Sequence, residues 1–182
     1  MRKVVLYQLL SLDGVAEEPG DWFSDGGPEV FDNLGRIIEA QDAILFGRGT
    51  YDYWAEFWPT SDVEPFASFV NDTEKYVFTS SEPTQRWQNS TFVNGPAADY
   101  VTKLKDQPGG DIGIHGSIEL AGSLWSAGLI DELRLVIGAA VAGHGRRLFG
   151  GDDSLQKLDL VDVDRTPGGT LFLTYGRSND GG

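Results

Sequence analysis

Two short segments of this chain combine glycine with side chains that can hold a phosphate group. The first is Gly47-Arg48-Gly49-Thr50 and the second is Gly116-Ser117. Glycine lets the backbone approach a ligand closely, the arginine guanidinium offers a planar set of donors, and the hydroxyls add further hydrogen bonds. Either segment by itself is compatible with an ordinary turn. Two of them in one small domain favour an elongated ligand with more than one phosphate.

The composition of the 182 residues narrows the remaining chemistry. The chain has no cysteine, which excludes disulfides, zinc–thiolate sites, iron–sulfur clusters and thiol nucleophiles, and only His115 and His144 as histidines, so we expect no metal centre. Lys and Arg total 14 against 28 Asp and Glu, and the net charge of −14 disfavours nucleic-acid and membrane-surface partners. No apolar run has the length of a membrane span or of a signal peptide. We therefore expect a cytoplasmic protein whose partner is a small metabolite.

Both glycine segments lie where a predicted strand gives way to a predicted helix. At that position the first N–H groups of the helix are unpaired and attract anions, and the carboxyl ends of the strands form the crevices of an open α/β sheet. Apolar runs predict strands at 4–10, 42–46, 75–79, 90–93, 111–114 and 131–137. Helical spacing predicts helices at 28–41, at 97–105 and from 118 to Gly128, with a long loop at 11–27 and a short aromatic helix or loop after Thr50.

The C-terminal part of the chain has two predicted strands in succession, without a helix between them. Two further predicted strands, 155–164 and 170–175, are separated by Pro167-Gly168-Gly169, which predicts an antiparallel hairpin. The fold class is therefore α/β, with a mostly parallel central sheet flanked by helices and a C-terminal antiparallel hairpin. We expect one domain, 1–176, and a flexible polar tail, 177–182. The apolar alternation of the last strands needs covering, so we also expect a homodimer.

The motifs, taken in order, resemble the dihydrofolate reductase superfamily. The closer resemblance is to its bacterial branch related to the reductase domain of the bifunctional riboflavin-biosynthesis protein, and it spans residues 4 to about 175. The residues that carry it are Ser11-Leu12-Asp13-Gly14, Gly47-Arg48-Gly49-Thr50-Tyr51, Ile114-His115-Gly116-Ser117, Gly128-Leu129-Ile130-Asp131-Glu132-Leu133 and Gly143-His144-Gly145-Arg146-Arg147-Leu148-Phe149.

The resemblance implies a reductase that binds NADPH across the strand ends and transfers a hydride to a pterin-like, pyrimidine or flavin-precursor heterocycle, with NADH as the alternative cofactor. The cofactor-binding residues that it implies are Gly14, Gly47, Arg48, Thr50, Thr79, Ser80, Ser81, His115, Gly116, Ser117 and Ile118. This chain departs from the family in having His115 in place of a glycine, which either puts an imidazole against the nicotinamide or disturbs that turn. It also lacks an arginine after the third strand and has Glu82 there, which would repel a 2′-phosphate.

Hydride transfer to such a heterocycle also requires a proton, from a buried carboxylic acid or from ordered water. The candidate acids are Glu29, Asp32 and Asp13, with Asp25 nearby in the sequence, although acids in the first turn of a helix are commonly solvated. Trp22, Tyr51 and Trp54 are candidates to stack on the substrate, with core or dimer packing as the alternative. Arg146 and Arg147 are expected to form surface or interface pairs.

The second function to consider is a nucleotide-binding or sensor protein without turnover.

Overall fold

The computed structural model describes residues 1–150 and 155–178, and within them eight strands and four of the five α-helices follow the alternation predicted from the sequence. The strands are β1 (Val4–Leu10), β2 (Gln41–Gly47), β3 (Glu74–Phe78), β4 (Ser90–Val93), β5 (Asp111–His115), β6 (Glu132–Ile137), β7 (Leu158–Arg165) and β8 (Leu171–Arg177). The helices are α1 (Pro28–Ile38), α2 (Arg48–Phe57), α3 (Phe66–Asp72), α4 (Ala97–Lys105) and α5 (Ile118–Ser126).

The strands form one sheet in the order β4-β3-β2-β5-β1-β6-β8-β7. Every pairing from β4 to β6 is parallel, whereas β8 is antiparallel to both β6 and β7. This arrangement confirms the predicted fold class. Because the parallel strands all end at the same edge of the sheet, the segments that follow β2 and β5, which are neighbours, lie side by side.

Helices cover the two faces of the sheet unequally. On one face, α4 and α5 pack on a core that includes Leu6, Leu45 and Ile114. On the other face, α1, α2 and α3 pack on two smaller clusters, one around Phe46 and one around Tyr7. Side chains alternate along a strand, so each strand contributes to both layers.

Three details differ from the sequence prediction. The helix α3 was not predicted, although Phe66 and Val70 have helical spacing and are buried. The predicted first helix extends to Gln41, but in the structure α1 ends at Ile38 and Gln41 begins β2. Arg177, predicted as the first tail residue, is the last residue of β8, and its guanidinium donates to the backbone carbonyls of Ile130 at 2.8 Å and Trp125 at 3.1 Å. These bonds anchor the strand end; residues 179–182 lie outside the described residues.

A buried polar pair on the α1–α3 face depends on a glycine in β5. The side chain of Gln41 lies across Gly113 and its Oε1 is 2.8 Å from Nε2 of His115. A Cβ built on Gly113 would lie 2.1 Å from that same Oε1 and 2.9 Å from Nε2 of His115. Only glycine therefore leaves room for the pair.

We expect Gly113→Ala to lower the free energy of unfolding by about 1–3 kcal/mol, because the added methyl must displace Gln41 and overpack the site. Gly122→Ala is the matched control, since no atom lies within 4 Å of a Cβ built there and the position is inside α5. That variant should gain up to about 1 kcal/mol from helix propensity. Urea denaturation measures both, and equal effects of the two substitutions would contradict the packing argument.

Candidate functional site

A cleft of about 440 Å³ lies at the carboxyl edge of the sheet, between the beginnings of α2 and α5. It is lined by Gly47, Arg48, Gly49, Thr50, Phe78, Gly116, Ser117, Ile118, Glu119, Leu120 and Arg146. Most of the predicted cofactor-binding residues are in this set, so the two glycine segments do converge. A second cavity, of about 220 Å³, is lined by Asp111, Glu132 and other residues near the amino ends of the strands, and none of the predicted site residues lines it.

The beginnings of α2 and α5 both open on the cleft without a side-chain cap. Gly47, which has no side chain, precedes α2, and Ser117, whose hydroxyl does not bond to α5, precedes α5. The hydroxyl of Ser117 instead accepts a hydrogen bond from the N–H of Gly47 at 3.2 Å, which joins the two strand-to-helix junctions. The first amides of both helices are thereby left to attract an anion.

Gly116 lines the cleft and has little room for a side chain. Its φ of +74° is in the left-handed region, and a Cβ there would lie 3.1 Å from Cζ2 of Trp54. The Thr50 hydroxyl donates to the Gly116 carbonyl at 3.5 Å. A side chain at residue 116 would therefore strain the backbone, and it would also have to displace the Trp54 ring slightly.

Arg48 joins the cleft to the loop after β3. Its Nε donates to Asp52 at 2.7 Å, and its Nη1 donates to the backbone carbonyl of Ser81 at 2.9 Å and to the hydroxyls of Ser81 at 3.1 Å and Thr79 at 3.3 Å. The predicted residues Thr79 and Ser81 are thus brought to Arg48, and Ser80 is exposed between them.

Glu82, the acidic residue predicted to repel a 2′-phosphate, has a cationic partner. Arg86 lies 3.2 Å from its carboxylate, and both side chains are exposed. The ion pair offsets only part of the negative charge of Glu82, because exposed pairs are screened by solvent and are weak.

The structure contradicts the predicted contact between the His115 imidazole and the cofactor site. Along β5, Ile112 and Ile114 face α4 and α5, so the alternation of the strand turns His115 to the opposite face. The ring is 3% exposed and packs against Tyr7, Phe66 and Phe69. Burial lowers the pKa of His115 to about 3, so the imidazole is neutral at physiological pH.

Asp13 is a structural acceptor and not the predicted proton donor. Its carboxylate accepts hydrogen bonds from the Ser11 hydroxyl at 2.6 Å and from the N–H groups of Ala142 at 2.9 Å and Gly143 at 3.0 Å. These bonds, the one from Ser11 first, lower its pKa to about 2. Gly14, predicted near the nicotinamide, is the next residue of the same turn, with φ of +83°, and does not line the cleft.

The other candidate acids also lack a catalytic position. Glu29 and Asp32 are exposed on α1, and neither lines either cavity, so the structure does not support the hypothesis that they line the substrate pocket. Asp25 accepts hydrogen bonds from the hydroxyls of Thr166 at 2.6 Å and Thr170 at 2.7 Å, and so it fixes the turn between β7 and β8.

The three aromatic candidates occupy different environments. Tyr51 is fully buried, and its hydroxyl accepts a hydrogen bond from the backbone N–H of Trp87 at 2.8 Å, which matches core packing, the alternative to a substrate contact. Trp54 is half-buried with its ring edge against Gly116. Trp22 is half-buried beside Phe23, and a Cβ on Gly138 would lie 3.4 Å from its ring. In the strand order β5-β1-β6, Trp54 and Trp22 therefore flank the end of β1.

Arg146 forms the surface ion pair that the sequence predicted, and it also lines the cleft. Its guanidinium contacts Glu17 at 2.8 Å and Glu119 at 3.2 Å, and it lines the cleft beside the first turn of α5. The backbone N–H of Arg146, and then its guanidinium, lower the pKa of Glu17. Its position in the motif Gly143-His144-Gly145-Arg146 was the available signal, but its partners are distant in sequence.

Comparison with known proteins places these features in one family. The chain matches the RibD C-terminal domain family over residues 2–172. It is 29% identical to the uncharacterized protein YyaP of Bacillus subtilis, over 96% of this chain and 94% of that protein. The structure of a putative riboflavin biosynthesis protein from Shewanella sp. PV-4 has a TM-score of 0.78 at 19% identity, with 97% of this chain and 99% of that chain covered.

A two-activity protein from Thermotoga maritima is also similar. It is described as a diaminohydroxyphosphoribosylaminopyrimidine deaminase/5-amino-6-(5-phosphoribosylamino)uracil reductase, and its TM-score is 0.70 at 15% identity, with 97% of this chain and 57% of that chain covered. At these identities the structural similarities establish the fold. The match to the RibD C-terminal domain family confirms the family resemblance that the sequence motifs indicated.

Two further findings concern residues 1–150 and 155–178. No helix in this part of the chain is long and apolar enough to cross a membrane. These residues also contain no cluster of three or more His, Asp or Glu side chains arranged to hold a metal ion.

Asp13→Asn should destabilise the turn that holds the 11–15 and 142–147 segments together, because an amide replaces one of the two acceptor oxygens. The pKa of Asp13 is lowered in the folded state, so its contribution to stability is present above the ordinary aspartate pKa and is lost as the pH falls toward about 2. The variant should unfold at lower urea concentration than the wild type near neutral pH, and the gap should narrow toward about pH 3. Asp32→Asn is the exposed control, and a gap that does not change with pH would contradict this role.

Proposed function

Since the chain belongs to the RibD C-terminal domain family, we propose that it is an NADPH-dependent reductase that transfers a hydride to a pterin-like, pyrimidine or flavin-precursor heterocycle. The observation that carries the proposal is the cleft in which two uncapped helix N-termini and Arg48 meet. A dinucleotide with a pyrophosphate and a further phosphate matches this distribution of donors.

The residues of the cleft divide between the two ends of such a cofactor. Gly116, Ser117 and Ile118, at the beginning of α5, suit the pyrophosphate. Arg48, with Thr79 and Ser81 bonded to it, suits the adenosine end and favours NADPH over NADH. When bound, NADPH supplies the hydride, and the protein has to bind, orient and exclude water.

The heterocycle would lie over the end of β1, between Trp22 and Trp54. Leu9 is half-buried on the same face and provides an apolar floor, and aromatic walls suit a flat ring. Since Asp13, Glu29 and Asp32 do not lie there, we propose that ordered water supplies the proton.

The second candidate function is a nucleotide-binding or sensor protein without turnover. The structural use of Asp13 and the exposed positions of Glu29 and Asp32 on α1 favour it, because no predicted proton donor is then left at the cleft. The two functions share cofactor binding and differ in catalysis.

Binding of NADPH and NADH, followed by NADPH oxidation with a panel of pterins and ribosylaminopyrimidines, separates these functions. Binding with turnover supports the reductase, and binding without turnover on any member of the panel supports the sensor. Failure of both dinucleotides to bind at millimolar concentration would remove both.

Arg48→Gln should weaken NADPH binding about tenfold, because one charge-assisted contact to a phosphate is lost. The affinity for NADH, which has no 2′-phosphate, should fall by less if Arg48 contacts that phosphate. Arg36→Gln makes the same change in charge at the cavity near the amino ends of the strands, and its affinity should stay within about twofold of wild type. Titration by calorimetry measures these affinities, and equal losses for the two variants would exclude Arg48 from the site.

We also propose a homodimer through β7. This edge strand exposes Leu160, Val161 and Val163, a pattern that favours covering by a second copy. Sedimentation equilibrium should give twice the chain mass of 19.8 kDa, and Val163→Lys should shift the protein toward the monomer. A wild-type monomer at all concentrations would contradict the proposal.

A further inference from the structure

Arg146 lies between two carboxylates that come from different parts of the cleft wall. Its Nε donates to Glu17 at 2.8 Å and its backbone N–H donates to the other oxygen of Glu17 at 3.0 Å. Its Nη1 donates to Glu119 at 3.2 Å. One guanidinium thus bridges the loop after β1 and the first turn of α5.

The two carboxylates hold Arg146 with unequal strength. Glu17 makes two hydrogen bonds to it, and its side chain is 34% exposed, whereas Glu119 makes one bond and its side chain is 90% exposed. An exposed ion pair with a single long contact is weak and easily exchanged. Glu119 is therefore the partner that an incoming anion can replace.

Glu17 continues the chain of contacts toward the proposed heterocycle site. Its backbone carbonyl accepts a hydrogen bond from the indole N–H of Trp22 at 3.0 Å. The N–H groups of Ala16 and Glu17 donate to the carbonyl of Arg146 at 2.9 and 3.3 Å. A continuous set of bonds therefore runs from the cleft through Arg146 and Glu17 to Trp22.

We propose that Arg146 couples the cofactor cleft to the Trp22 side of the heterocycle site, an inference that rests on the proposed function. A ligand phosphate at the beginning of α5 takes the place of Glu119 on the guanidinium, while Glu17 keeps its two bonds. The loop that carries Trp22 is then tied to the bound phosphate. Bound cofactor then raises the affinity for a heterocycle that contacts Trp22. By linkage, the heterocycle raises the affinity for the cofactor by the same factor.

The charges of Glu119 and Arg146 predict that removing them has opposite effects on the affinity for NADP⁺. Glu119 puts negative charge where the phosphate must lie, so Glu119→Gln should tighten NADP⁺ binding by about threefold. Arg146→Gln removes the phosphate contact and should weaken binding by about tenfold. Arg36→Gln, at the far cavity, should stay within about twofold of wild type.

Trp22 provides a readout that a merely structural ion pair would not move. NADP⁺, which does not absorb tryptophan emission as NADPH does, should shift the fluorescence of the wild type, and Trp22→Phe should remove most of that shift. In Arg146→Gln at saturating NADP⁺ the Trp22 component should be lost. Glu119→Gln should keep it, because the path through Glu17 is intact.

The outcomes separate this inference from the proposed function. Tighter binding in Glu119→Gln together with loss of the Trp22 signal in Arg146→Gln supports the coupling. Weaker binding in Glu119→Gln, or a Trp22 signal that survives in Arg146→Gln, overturns it while cofactor binding stands. A wild type that binds no dinucleotide overturns the proposed function and the coupling together. Glu119 is exposed, so its variant keeps the test valid even if Arg146→Gln does not fold.

Discussion

An acidic protein that holds a phosphorylated ligand has to build a local positive potential against its own net charge, here −14. In this chain the N-termini of α2 and α5 open on one cleft, and the guanidiniums of Arg48 and Arg146 line the same cleft. Each guanidinium is already paired with a carboxylate, Arg48 with Asp52 and Arg146 with Glu17 and Glu119. A ligand must therefore compete with the protein's own acids. The same holds at the beginning of α5, whose first turn carries Glu119, whereas the first turn of α2 has no acidic residue.

The convergence of the two helices follows from features that are local in sequence. Apolar runs that end in glycine, followed by helical spacing, specify both junctions, and parallel pairing brings them to one edge. For this reason the strands, the helices other than α3 and most of the cleft residues were predictable. The positions of α4 and β4 agree with the prediction residue for residue.

Side-chain direction and long-range partners were not predictable in the same way. Whether His115 faces the cleft or the opposite layer depends on where β5 ends, and it ends one residue later than the apolar pattern suggested. The partners of Asp13 are Ala142 and Gly143, far along the chain. Lys75 is an extreme case: it is fully buried, donates to the carbonyls of Asn71 and Thr73, and has its pKa lowered by burial to about 8. No local pattern marks a lysine for such a position.

Of the acids that the sequence offered for catalysis, Asp13 and Asp25 hold loops together, and Glu17, which was not a candidate, does the same. Asp13 fixes the turn against the 142–147 segment, Asp25 fixes the hairpin turn, and Glu17 fixes Arg146. The sheet itself separates the cleft between α2 and α5 from His115 by a single step along β5, since adjacent residues point to opposite faces. A packed, alternating strand transmits little from one face to the other without breaking its ladder. Communication between the cleft and the aromatic residues must then pass through the loops at the edge, and Arg146 is where those loops meet the first turn of α5.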